Sequence, residues 1–145
     1  MHALRRVPAD DVDTCVHLET ALPATGVQAD ARWARVMDLR DQALAAIEQA
    51  RGPKDKGGMD IDNPLDAGVA LPSKDGLLAG FEPADLADLL GVSLVEVVQG
   101  QSPIAVTDRR DEPRCERSWK RDGTVKARSD GGLLSDRDAQ ALGVA

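Results

Sequence analysis

Aromatic side chains are nearly missing from this 145-residue chain: Trp33, Phe81 and Trp119 are all it has, and there is no Tyr. The core must therefore be built from Leu, Val, Ile and Ala, which suits a modest domain and not a large one. Cysteine is almost as scarce. Cys15 and Cys115 lie far apart and form no spacing pattern, so a disulfide scaffold is excluded and a reduced, cytoplasmic protein is expected. No apolar run is long enough to cross a bilayer, and no apolar leader follows Met1. Histidine occurs only at His2 and His17, neither near Cys115 in sequence. No nucleophile–base pair, phosphate loop or EF-hand spacing can be assembled. The Lys54–Gly58 loop has no P-loop pattern, and Asp60, Asp62 and Asp66 read as a solvated turn. The chain by itself is not expected to be an enzyme or to carry a cofactor.

Charge is present but uneven. The net charge of −7 argues against a general nucleic-acid coat. Residues 1–108 hold 9 basic and 18 acidic side chains, whereas residues 109–145 hold 9 basic and 7 acidic ones. Within Arg114–Arg128 six cations (Arg114, Arg117, Lys120, Arg121, Lys126, Arg128) face only Glu116 and Asp122. A basic tip on an acidic body is compatible with a local phosphate contact or, more blandly, with a solvated loop.

The tip also carries a broken motif. Cys115-Glu116-Arg117-Ser118-Trp119 has the frame of a Cys-x-x-Cys zinc knuckle, but Ser118 stands at the second ligand position. A second pair would fall near Ser135-Asp136-Arg137-Asp138, where there is no thiol. One thiol among four positions cannot hold a structural zinc, so no metal is expected. Ser135 and Asp138 have a sufficient local role in capping a helix that runs through Leu142 to Gly143. Trp119 is expected to pack beneath the loop as its large apolar anchor, with stacking on a base as the alternative.

Periodicity organises the remainder. Residues 1–29 read as an irregular segment with a short extended stretch at Cys15–Leu18. Asp30 caps a helix to about Arg51, with Trp33, Val36, Met37, Leu39, Ala43, Leu44, Ile47 and Ala50 on its apolar face and a left-handed Gly52 as its stop. Ala67–Leu71 reads as a strand ended by Pro72, and Ala84–Leu90 as a helix between Pro83 and Gly91. Ser93–Val98, rich in valine, reads as the central strand, and Ile104–Thr107 as a weaker one. The expected class is α+β: a long helix on a small, mostly antiparallel sheet over residues 30–108. Residues 109–145 would form a loop-rich, zinc-knuckle-like tip without metal.

Several of these segments, in order, resemble the C-terminal region of bacterial isoleucyl-tRNA synthetases. They are Val16-His17-Leu18-Glu19, Trp33–Arg51 with its Trp…Arg…Glu-x-Ala-Arg pattern, Asn63–Val69, Leu86–Val98 and Cys115–Trp119. The likeness departs from the zinc-bearing form at Ser118, Ser135 and Asp138. No segment resembles the family's nucleotide-binding signatures or its editing domain. The resemblance implies a module that lies against the anticodon stem-loop of isoleucine tRNA and binds it weakly when isolated, with the catalytic portion of a ligase as a further partner. Arg114, Arg117, Trp119, Lys120, Arg121, Lys126 and Arg128 are the implied RNA-binding residues. The alternative is a free-standing protein-interaction domain descended from that module, which the acidic body favours.

Overall fold

Helix α1 runs from Arg32 to Arg51 in the computed structural model, which describes Gly26 and residues 30–144. The expectations for residues 1–25 and 27–29 lie outside the described residues. Val36, Leu39, Ala43, Ile47 and Ala50 are buried, a stripe with steps of three and four residues. This stripe is narrower than periodicity alone suggests. Leu44 is half-buried, and Trp33 stands outside the core, 43% exposed and stacked on Phe81 at 6.2 Å between ring centroids. The ends differ too. Ala31, not Asp30, occupies the N-cap position, and Gly52 is extended (φ −63°, ψ 164°), not left-handed. Pro53 stops the helix, since it has no amide hydrogen to continue the ladder. The chain then doubles back. Met59 N–H donates to Ala50 O at 2.7 Å, and a Cβ on Gly58 would meet the Gly52 carbonyl at 1.9 Å, so only glycine fits there.

Strand β1 (Ala67–Ser73) is the centre of a three-stranded sheet ordered β2–β1–β3. Helix α2 (Pro83–Leu90) lies in the connection to β2 (Leu94–Gln99), which runs parallel to β1 with Val69 opposite Val95. β3 (Ala105–Asp108) returns antiparallel, with Val106 opposite Val69. The sheet is thus mixed, not mostly antiparallel. A helical crossover carries the chain back to the end where β1 began, and the next strand must then be parallel. The valine-rich β2 is an edge. β1 is central because β2 pairs with one of its edges and β3 with the other, and its core face is closed: Ala67, Val69, Leu71 and Ser73 are all buried. Pro72 lies inside β1 and not after it. β3 pairs only with Ala67–Ala70, so at Pro72 the strand is paired on one side, where a residue without N–H is tolerated.

α2 ends as its sequence predicts. Gly91 takes φ 68°, and its N–H bonds to Ala87 and Asp88 carbonyls. Leu86, Ala87 and Leu90 join α1 and β1 in one apolar cluster with Ile61, Val92 and Val95. A second, much smaller cluster lies in residues 109–144: Cys115, Val125, Leu134 and Ala139, with Val144 beside them. Around it fold a minimal hairpin, β4 (Lys126–Ala127) with β5 (Leu133–Leu134), and helix α3 (Asp136–Leu142). Ser135 caps α3 by accepting the Asp138 amide hydrogen, and Gly143 closes it at φ 70°. The hairpin has two residues per strand, too short for an alternating pattern in the sequence.

The described residues from Ala31 onward form one compact unit. Ser93, at the entry to β2, is a junction between the two clusters. Its hydroxyl donates to Leu65 O and accepts the Arg121 amide hydrogen at 2.6 Å. Among the described residues, no helix is long and apolar enough to cross a membrane.

Candidate nucleic-acid interface

The loop from Cys115 to Lys120 is closed by its own backbone. Trp119 N–H donates to Cys115 O at 3.0 Å, and Cys115 N–H donates to Lys120 O at 2.9 Å. This closure forces Trp119 into the left-handed region at φ 63°, a position that disfavours a bulky residue. The indole is 52% exposed. Trp119 is therefore not the buried anchor of the loop; that place belongs to Cys115, which is fully buried. The Arg114 guanidinium lies 5.0 Å from the Trp119 ring centroid, within range of a cation–π contact.

The six tip cations separate by partner. Arg121 is the most constrained by distant chain, its Nε 2.6 Å from Asp66 Oδ1 and its Nη1 donating to Glu112 O; 15% of the side chain is exposed. Arg128 is 5% exposed, bonding Leu134 O through Nε and Nη2 at 3.0 and 2.9 Å and Asp136 at 2.7 Å. Lys120 is 18% exposed and pairs with Asp88 of α2, which also meets Arg137 at 2.9 Å. Those two cations hold the Asp88 carboxyl below its ordinary value, Arg137 contributing most. Lys126 is exposed, 3.2 Å from Asp136, and Arg117 is half-exposed, 3.7 Å from Asp138. Arg114 makes no ion pair among the described residues. The solvated set is thus Arg114, Arg117, Trp119 and Lys126. Lys120, Arg121 and Arg128 serve the fold, so the solvated-loop reading of Arg114–Arg128 holds only for part of the stretch.

The four knuckle positions do converge. Asp138 Oδ2 accepts hydrogen bonds from Ser118 Oγ at 2.6 Å, Ser135 Oγ at 2.9 Å and Cys115 Sγ at 3.1 Å. Burial would raise the Asp138 carboxyl's pKa, but these three hydrogen bonds and the nearby Arg117 charge outweigh it, and the net direction is down. The residues do not fit zinc. The donor set is one thiol, two hydroxyls and one carboxylate, whereas structural zinc takes four Cys or His ligands. The point of convergence is taken by a carboxylate oxygen. Among the described residues, no group of three or more His, Cys, Asp or Glu could hold a metal. Asp60, Asp62 and Asp66 make no such group either, Asp66 being engaged by Arg121.

Sequence reasoning located Ser135 and Asp138 by spacing but missed the carboxylate as a hub. It also missed Arg109, whose Nε donates to Arg121 O at 2.6 Å, and Asp88, which receives two cations. Their partners lie 12 to 49 residues away, beyond any local pattern.

No protein-family model matches the chain. Isoleucine–tRNA ligase of Geobacter sulfurreducens is 32% identical over 125 residues, covering 77% of this chain and 13% of that protein. The ligase of Kosmotoga olearia is 32% identical over 99 residues, covering 61% and 10%. Isoleucine–tRNA ligase 2 of Burkholderia mallei is 30% identical over 117 residues, covering 77% and 11%. The chain spans only about a tenth of the length of these curated relatives. Over most of its own length, then, it is related in sequence to a segment of isoleucine–tRNA ligases, and the resemblance read from its motifs holds.

Proposed function

We propose that this chain is the C-terminal, tRNA-binding module of an isoleucine–tRNA ligase, and that it meets the anticodon stem-loop through Arg114, Arg117 and Trp119, with Lys126 at the margin. Trp119 carries the reading. A tryptophan held left-handed and half in solvent contributes little to the fold and strains the backbone, at a cost on the order of 1–3 kcal/mol. A flat ring with the Arg114 guanidinium 5.0 Å from its centroid, in a loop that also carries the half-exposed Arg117, offers what an unpaired loop base requires: a stacking surface and cations for its phosphates. Lys120, Arg121 and Arg128 are held by Asp88, Asp66 and Asp136 and lie outside the proposed contact set. The chemistry of ligation would reside in the remainder of such an enzyme.

Trp119→Gly tests the reading, because glycine relieves the left-handed strain while deleting the ring. In a full-length ligase carrying this module, the variant should fold at least as stably as the parent. Its KM for tRNA should rise by about 5- to 150-fold, the equivalent of one lost stack worth about 1–3 kcal/mol. ATP-dependent activation of isoleucine should be unchanged. A second reading, a protein-interaction domain, draws on one observation: five of the six tip cations already face carboxylates. Unchanged tRNA KM in both Trp119→Gly and Arg114→Ala/Arg117→Ala would favour it.

A further inference from the structure

We propose that the Asp138 carboxylate replaces a metal ion as the structural centre of the tip, in a knuckle whose ligand geometry has outlived its ligands. The positions are 115, 118, 135 and 138, two x-x pairs separated by 16 residues, which is the spacing of a four-ligand zinc site. Both pairs are presented as such a site requires. Cys115 and Ser118 lie on a backbone-closed loop, and Ser135 and Asp138 lie on the first turn of α3. Their four side chains meet at one atom, Asp138 Oδ2, from donors 2.6, 2.9 and 3.1 Å away. The Ser135 amide also points to Cys115 Sγ at 3.5 Å, so the thiol both donates and accepts.

The alternative explanation, that Asp138 is merely a helix-cap residue, covers only its exchange with Ser135. It does not account for Ser118 and Cys115, which come from a loop 20 and 23 residues away and aim at the same oxygen. The tip also needs a staple. Its apolar cluster is four small or medium side chains and Val144, too little to order some thirty residues alone. Every buried side-chain nitrogen or oxygen among the described residues has a partner, so the cluster is complete as it stands. One anionic acceptor with three converging donors gives what a cation with three or four donors would give: a cross-link between loop and helix.

Two measurements on the full chain decide this. First, Ser118→Cys/Ser135→Cys/Asp138→Cys, with native Cys115, should bind one zinc per chain and give the absorption bands of tetrahedral thiolate-bound Co²⁺. The native chain and Ser118→Cys alone should do neither. Second, Asp138→Ala should expose Cys115 to iodoacetamide on the order of tenfold faster or more, as the cross-link opens. Peptide mass spectrometry separates its rate from that of Cys15. If the triple variant is unfolded without metal, recovery of its structure on adding zinc supports the proposal. A triple variant that takes up no zinc, folded or not, overturns it. So does an unchanged Cys115 rate in Asp138→Ala.

Discussion

Arg117 and Arg121 are separated by four positions and have opposite roles. Arg121 is held between Asp66 and the Glu112 carbonyl, mostly out of solvent, while Arg117 keeps half of its surface in water with one long ion pair. Removing Arg121 leaves Asp66, itself 19% exposed, without its cation, and an uncompensated, mostly buried charge is costly. Arg121→Ala should therefore lower stability by on the order of 3 kcal/mol, read from the urea midpoint. Arg117→Ala should stay within about 0.5 kcal/mol of the parent. Equal effects would show the pairing to be misassigned. The sequence marks all six tip cations alike, because charge density is local whereas Asp66 and Asp88 are 55 and 32 residues from their partners. Trp119 departs from its sequence expectation for a related reason. A lone large apolar residue in a polar loop reads as an anchor, and only the closed Cys115–Trp119 turn shows that it points outward.

At the level of elements, start signals and stops were legible around α2 (Pro83, Gly91) and α3 (Ser135, Gly143), but not at α1, where Asp30 is not the N-cap and Gly52 is extended. Partner choice was not. β2 looks central by its valines, yet β3 pairs with the far edge of β1 and leaves β2 at the edge of the sheet. On α1, periodicity gives a face but not its edges, since Leu44 and Ile47 both satisfy the pattern. The structure separates them: Ile47 is 3% exposed, and Leu44 is half-buried. Ile47→Ala should cost about 2–5 kcal/mol and Leu44→Ala distinctly less, compared by denaturant midpoint. α3 adds a pH dependence. The folded-state pKa of Asp138 lies below its ordinary value of 3.8, so its contribution to stability is complete above that value. That contribution is lost as pH falls through the lower, folded value. The urea midpoint should thus be flat from neutrality to about pH 5 and fall below about pH 4, with Asp88 and Asp136 sharing the trend. Asp138→Asn should start from a lower midpoint and show a shallower acid decline.

For the whole molecule, the net charge of −7 opposes an RNA contact that the tip proposes to make. Three tip cations are committed to structure, and Lys126 faces Asp136, so Arg114 and Arg117 are the charges to which the proposal chiefly assigns the phosphate contact. Affinity of the isolated chain should accordingly be low and only weakly salt-dependent. For single-stranded loop phosphates, each neutralised charge contributes a slope of about −0.7 in log K against log salt, so two cations give about −1.4. Arg117→Ala should halve that slope. Trp119→Gly should lower affinity at every salt concentration while leaving the slope where it was, because stacking releases no counterions. Titration of a fluorescent stem-loop RNA across a salt series separates the two terms. A slope several times steeper would mean that Lys120, Arg121 or Arg128 leaves its carboxylate to meet RNA, making the ion pairs of the free chain a closed state of the interface. A slope unchanged in Arg114→Ala/Arg117→Ala would place the phosphate contact outside this part of the tip.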